Sequence, residues 1–174
     1  MQHVMLDLET FGTRPGCVLR SIGMVMFDPE GDTLGAEFYM NLTEDDQLAA
    51  GCHKDPDTVA WWDRQSSQSQ SQLLVDQKPF LHVAPLITSF IKGNRGKFVW
   101  SQGSNFDIVL LEHSMQVFGH KAPWLFYNTR DTRTAYNMSK FDTKSLRREG
   151  TYHNALDDAK HQARCVQASY RNIR

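Results

Sequence analysis

The segment Val4-Met5-Leu6-Asp7-Leu8-Glu9 puts two acids into the first apolar run of the chain. An alternating strand there sends Met5, Asp7 and Glu9 to one face and Val4, Leu6 and Leu8 to the other. We expect this strand to be central in a sheet, with two carboxylates pointing the same way. Two like charges about 4 Å apart repel by roughly 4 kcal/mol at an effective dielectric near 20. A fold keeps such a pair if a cation lies between them or if water screens it. Acid-x-acid is also common on exposed strands, so a solvent-facing polar edge is the competing reading.

The rest of the pattern alternates. Residues 19–27 are apolar and partly β-branched, Gly31-Asp32 marks a turn, and 33–42 reads as the hairpin partner. A short helix is predicted over 57–64, with Asp57 as its cap. The Ser/Gln tract at 66–72 is the one low-complexity piece and reads as a surface loop or helix edge. Residues 79–91 form an amphipathic helix with Phe80, Val83, Ile87 and Phe90 on one face, stopped at Gly93. A strand over 97–101, a helix over 104–118, a short strand over 124–128 and a helix after Asp131 follow. The last helix, 155–170, carries Leu156, Ala159, Ala163, Val166 and Tyr170 as one stripe. Three strands followed by alternating helices and strands predict an α/β fold, a mixed sheet with helices packed on it. At 174 residues the expectation is one domain, 1–174.

Composition removes several classes of function. The longest apolar runs, 22–27 and 108–111, fall far short of the roughly 18 residues of a membrane span. The first residues lack a basic region followed by a long apolar stretch, so a secretory leader is not expected. Cys17, Cys52 and Cys165 are odd in number and scattered, which suits a reducing cytoplasm rather than a disulfide framework. A net charge of −1 excludes binding of nucleic acid by bulk charge. Charge is nonetheless uneven: 28–57 holds nine acids and one base, and 130–148 holds six bases and two acids. These are either two solvated faces or, at 140–148, a strip that guides a polyanion.

Two further acid sites follow. Asp107 ends Gly103-Ser104-Asn105-Phe106-Asp107, after a strand and in the first turn of a helix. Ser104 as N-cap with Asp107 three residues on is one reading; a ligand site where strands end and helices begin is the other. In His153-Asn154-Ala155-Leu156-Asp157-Asp158, Asn154 is the expected N-cap and Asp157 can complete it, leaving Asp158 free. His153 and Asp158 can then face one mouth, although a loop histidine without a role is the simpler alternative. Taken together, four carboxylates balance two divalent cations. Hard oxygen donors without a cysteine cluster suit Mg2+ or Mn2+ rather than zinc. Such a pair of ions fits in-line phosphodiester displacement. A histidine with an ordinary pKa near 6.5 is suited to take a water's proton.

Asp7-x-Glu9, Phe106-Asp107 and His153-x4-Asp158 resemble, in order and separation, the three motifs of the DEDDh group. These are DnaQ-like 3′→5′ exonucleases on a ribonuclease H-like fold. The segments Asp7 to Gly16, Leu19 to Phe27, Asp57-Thr-Val-Ala-Trp-Trp-Asp-Arg-Gln-Ser66 and Arg130-Asp-Thr-Arg-Thr134 are similar to a phage and prophage branch labelled exodeoxyribonuclease VIII-like. Nearly the whole chain is covered. Phe11 departs from the wider group, in which many members carry a small hydroxyl residue.

The resemblance implies a mixed five-stranded sheet with helices on both faces. It implies two Mg2+ ions, replaceable by Mn2+, held by Asp7, Glu9, Asp107 and Asp158, with His153 as general base. Thr10 and Phe11 would lie beneath the terminal nucleotide. Asn105 and Trp61 are further substrate candidates, against the alternatives of a helix-turn residue and a core tryptophan. The implied partner is the 3′ end of a nucleic acid, single-stranded and preferably DNA, with RNA open; the products would be nucleoside 5′-monophosphates. Relatives include dimers, so a homodimer stays open. The competing function is a non-catalytic module that binds nucleic-acid ends or a protein.

Overall fold

The computed structural model describes residues 1–173. Its strands are β1 (His3–Thr10), β2 (Leu19–Phe27), β3 (Leu34–Asn41), β4 (Phe98–Ser101) and β5 (Thr129–Asp131). Its helices are α1 (Asp45–Ala49), α2 (Pro56–Asp63), α3 (Ser67–Gln72), α4 (Phe80–Gly93), α5 (Asp107–Val117), α6 (Thr132–Ser139) and α7 (Ala155–Ile173). The five strands make one sheet in the order β3-β2-β1-β4-β5. β1 pairs antiparallel with β2 and parallel with β4, so the strand with the paired acids is the middle one.

Both faces of β1 are covered. Val4, Leu6 and Leu8 pack with Phe80, Val83 and Ile87 of α4 and Ile108 and Leu111 of α5. Met5 packs on the other face with Val25, Trp100, and Ala159, Ala163 and Val166 of α7. The stripe read on α7 is therefore the face that seats it. A solvent-facing edge for Glu9 is overturned, since only 8% of it is exposed.

Four local expectations are corrected. The strand expected over 124–128 is a loop closed by a 3₁₀ turn at Phe126–Asn128, and pairing starts at Thr129 opposite Val99. Apolar content misled there, because Phe126 and Tyr127 are exposed and Trp124 is fixed by its Nε1–H on Glu112 Oε1 at 2.6 Å. The Ser/Gln tract is helix α3, started by Ser66 Oγ accepting from Ser69 N at 3.1 Å. Helix α2 starts at Pro56 with Asp55, not Asp57, as its cap; proline favours the first helical position. Ser104 caps nothing: α5 starts at Asp107 without a side-chain cap.

Gly23 decides how near α7 comes to the sheet. It lies opposite Asp7 in the β1–β2 register. A β-carbon there would run into the backbone of Ala155 and Leu156. The start of α7, and with it Asp158, thus lies directly over the strand pair that carries Asp7.

Gly23→Ala should cost about 1–3 kcal/mol by overpacking. For a chain of this size that is roughly a 3–10 °C fall in melting temperature. Calorimetry checks it, and an unchanged melt would mean that the helix start does not need this approach.

Candidate active site

β1 runs past the end of β4: their pairing covers only His3–Met5. The backbone beyond it has no strand partner on that side, and the Leu8 N–H donates to Asp107 Oδ1 at 3.2 Å. A free ladder position thus draws the first residue of α5 to the sheet. From α7, Gln162 Nε2 donates to Asp7 Oδ1 at 2.7 Å. Gln162 lies four residues after Asp158, on the same helix face. One helix therefore delivers an acid and holds another.

Asp7, Glu9, Asp107, His153 and Asp158 line one cavity of about 420 Å³, together with Gln162, Arg133 and Arg148. Within it, ligand atoms of Glu9, His153 and Asp158 all lie within 4.8 Å of one another. Residues 100 to 150 positions apart in sequence are thereby brought together.

Burial, with neighbouring charges adding to it, shifts their proton affinities. Burial, then Asp107 and Glu9, push the Asp7 carboxyl well above its ordinary range, against the Gln162 hydrogen bond. Burial and Asp107 raise Glu9 to about 8. Burial raises Asp107 to about 7, although the Leu8 N–H favours its charged form. His153 moves down, through burial and then Arg148, which favours its neutral imidazole.

The loop that carries His153 is pinned from the Ser/Gln helix. Ser69 Oγ donates to Tyr152 O at 3.1 Å, Gln72 Nε2 to His153 O at 3.3 Å, and Asn154 Nδ2 to Gln72 Oε1 at 3.2 Å. His153 itself has a φ of 60°, a left-handed conformation that such bonds must hold. Asn154 caps α7 as expected, accepting from Leu156 N and Asp157 N at 3.1 Å each. Asp157 reaches Thr151 N instead of closing the cap.

A neighbouring groove of about 530 Å³ shares Leu8, Glu9 and Phe106 with the acidic cavity and adds Thr10, Trp61 and Trp62. Trp61 is 38% exposed, and its ring meets His153 edge-on at 4.9 Å. Trp62 is buried, its Nε1–H donating to Thr10 O at 2.8 Å. Phe11 is not brought to either cavity. Its ring lies in a small core with Val18, Cys52 and Leu73, beneath Arg20 and Lys54. A large apolar side chain is better buried than left beneath a ligand. Asn105 is exposed and lines neither cavity. Sequence reasoning missed Gln162 and the pinning helix. A polar residue four positions beyond Asp158 was the available signal for the first; nothing local signals the second.

The donor set fits divalent metal ions. It offers four carboxylates and one imidazole, and the Cys165 thiol at the rim is raised to about 11 by burial, so it is no thiolate ligand. Gln162 Oε1 is also buried without a hydrogen-bond donor.

A family model described as the 3′-5′ exoribonuclease Rv2179c-like domain matches residues 2–170. No curated protein matches the chain. Solved structures do. The nuclease domain of 3′hExo, a DEDDh family member bound to rAMP, is 15% identical over 97% of this chain and 91% of that one, at a TM-score of 0.61. A 3′-exonuclease solved in recognition of the histone mRNA stem-loop is 15% identical over 97% and 81%, at 0.63. E. coli exonuclease I with a dT13 oligonucleotide is 15% identical over 95% of this chain and 40% of that one, at 0.69. The chain thus spans about two fifths of exonuclease I. At these identities the likeness is one of fold, the ribonuclease H-like sheet of DEDDh exonucleases. Among the described residues no helix is long and apolar enough to cross a membrane.

The raised acids set a pH dependence. With chelator present, the folded protein keeps protons that the unfolded chain releases between about pH 4 and pH 8. That stability is full at low pH and is lost as pH rises through about 7 to 8. The His153 shift works the other way, below its ordinary 6.5. Melting temperature in EDTA should therefore fall between about pH 6 and pH 8. A divalent cation at 100 times its dissociation constant should restore about 2.7 kcal/mol. A melt that rises over this range in EDTA would contradict the shifts. Gln162→Ala should weaken metal binding by roughly 10- to 100-fold, as losses around ligands do, with little change in the metal-free melt. Calorimetric titration with Mn2+ checks this.

Proposed function

The chain belongs to the Rv2179c-like 3′-5′ exoribonuclease domain family and is a DEDDh-type 3′-5′ exonuclease; on that premise we propose that it shortens single-stranded RNA from the 3′ end, releasing nucleoside 5′-monophosphates. The convergence of Asp7, Glu9, Asp107, His153 and Asp158 on one cavity carries this reading. The resemblance to a phage and prophage branch points to DNA, but the family description names RNA, and we take RNA as the faster substrate. The whole of 1–174 would be one such domain, and its three unbridged cysteines suit the cytoplasm.

Asp7, Glu9, Asp107 and Asp158 would hold two Mg2+ ions, with Mn2+ able to substitute. When bound, the ions supply charge stabilisation at phosphorus and a more acidic water. Gln162 keeps the Asp7 carboxylate turned into the cavity. His153 Nδ1 or Nε2 takes the proton of the attacking water, and its downward shift keeps it ready to do so at neutral pH. The helix α3 bond holds the His153 backbone, and the Trp61 ring packs edge-on against its imidazole. The terminal nucleotide would lie in the adjoining groove, its base between Phe106 and Trp61, where stacking is worth about 1–3 kcal/mol for any base. Single-strand preference follows from an unstacked base having to enter that groove.

The test uses matched RNA and DNA oligonucleotides labelled at the 5′ end, with Mg2+, Mn2+ or EDTA. A ladder shortening from the 3′ end, faster on RNA and abolished by EDTA and by Asp107→Asn, is expected. His153→Ala should cost about 10²-fold or more. Metal binding without any ladder would replace this reading by a binding module; faster cleavage of DNA would overturn the choice of sugar.

A further inference from the structure

Of the described basic residues in the 140–148 strip, only Arg148 lines the acidic cavity. Its Nη2 pairs with Asp158 Oδ1, and both side chains are largely buried. Its guanidinium lies 4.2 Å over the Tyr152 ring. Its Nε–H is buried without an acceptor. A guanidinium has five N–H donors in a rigid fork, and this one leaves part of that set unused inside a cavity. The fork matches the oxygens of a phosphate, which makes arginine the usual residue for bidentate phosphate recognition. Its neighbours are held: Thr151 N donates to Asp157 Oδ2 at 2.8 Å, and the Arg164 side chain donates to the Glu149 carboxylate at 2.6 Å. A change of partner would need only the Arg148 side chain to turn.

A divalent cation on Asp158 and the Arg148 guanidinium claim the same carboxylate. We propose that Arg148 exchanges partners: it pairs with Asp158 until a divalent cation takes that carboxylate, and it then ligates the phosphate of the terminal nucleotide. This rests on the metal and substrate assigned to the cavity above. Charge favours the exchange. Four carboxylates and two divalent cations sum to zero, so positive charge for a bound phosphodiester comes from the cavity's arginines, Arg133 and the freed Arg148 guanidinium. The Tyr152 face helps, because contact between a planar cation and an aromatic ring survives sliding along it. Arg148 is thus a catalytic residue by contact with substrate, and its hold on Asp158 makes the protein bind metal and nucleic acid cooperatively.

The experiment measures two quantities on Arg148→Ala, Arg148→Gln and Arg148→Lys. The first is Mn2+ affinity of the protein without nucleic acid, by calorimetry or electron paramagnetic resonance. The second is kcat and KM on a 5′-labelled oligonucleotide at saturating metal. Loss of the competitor should tighten Mn2+ binding several-fold in the alanine and glutamine variants. Loss of a charged hydrogen bond to phosphate should raise KM by about 10- to 100-fold. Arg148→Lys should fall between wild type and alanine in both. A residue that only supports the fold would weaken both bindings, so opposite signs are the signature. The glutamine variant keeps the test alive if the alanine variant fails to fold. Mn2+ affinity unchanged or weakened, or KM unchanged, overturns the exchange. A wild-type protein that binds no Mn2+ or degrades no oligonucleotide overturns instead the functional reading beneath it.

Discussion

Asp7, Glu9 and Asp107 line one cavity at the end of the central strand, and like charges about 4 Å apart would repel by about 4 kcal/mol at an effective dielectric near 20. Protons relieve this at low pH: burial first raises all three carboxyls, and neighbouring acids add to it at Asp7 and Glu9. At neutral pH, cations are the natural counterweight. Much of the surrounding structure serves to hold this arrangement against its own repulsion. The Leu8 N–H fixes Asp107, the Gln162 amide fixes Asp7, and Arg148 lies against Asp158.

The sheet makes the crowding possible. β1 is covered on both faces, so its apolar residues anchor it and its acids have nowhere else to point. Gly23 lets α7 descend onto the β1–β2 pair, which brings Asp158 and Gln162 within reach of Asp7. The early end of β4 pairing leaves the Leu8 N–H for Asp107. The site is therefore a product of the strand register and of one helix approach, and a slip in either would disperse it.

Much of this was legible in the chain. Strong periodicity in 19–27, 79–91 and 155–170 gave elements that match β2, α4 and α7 closely, because burial on one face imposes that period. The pairing of Asp7 with Glu9 on one face follows from strand geometry alone. Where residues had two local uses, local pattern alone did not choose between them. Ser104 and Asp107 could be read as a cap or as part of a ligand site, and Asp107 bonds a strand 99 residues away. Phe126 looked like strand and is surface. The Ser/Gln tract looked like a surface loop or helix edge, since its helix shows its worth only through bonds to Tyr152, His153 and Asn154.

Sequence by itself determined the α/β class, the central acidic strand, the motifs of the exonuclease group and the residue types that chemistry at phosphorus requires. Those rest on spacing and side-chain type, which are local. Tertiary structure decided which groups share a cavity, that Phe11 belongs to a core and Trp61 to a groove, and that Gln162 and Arg148 meet the acids. The physical reason is range. A hydrogen bond or an ion pair between residues 10 to 155 positions apart leaves no periodic trace in the chain, and only folding brings its two ends together.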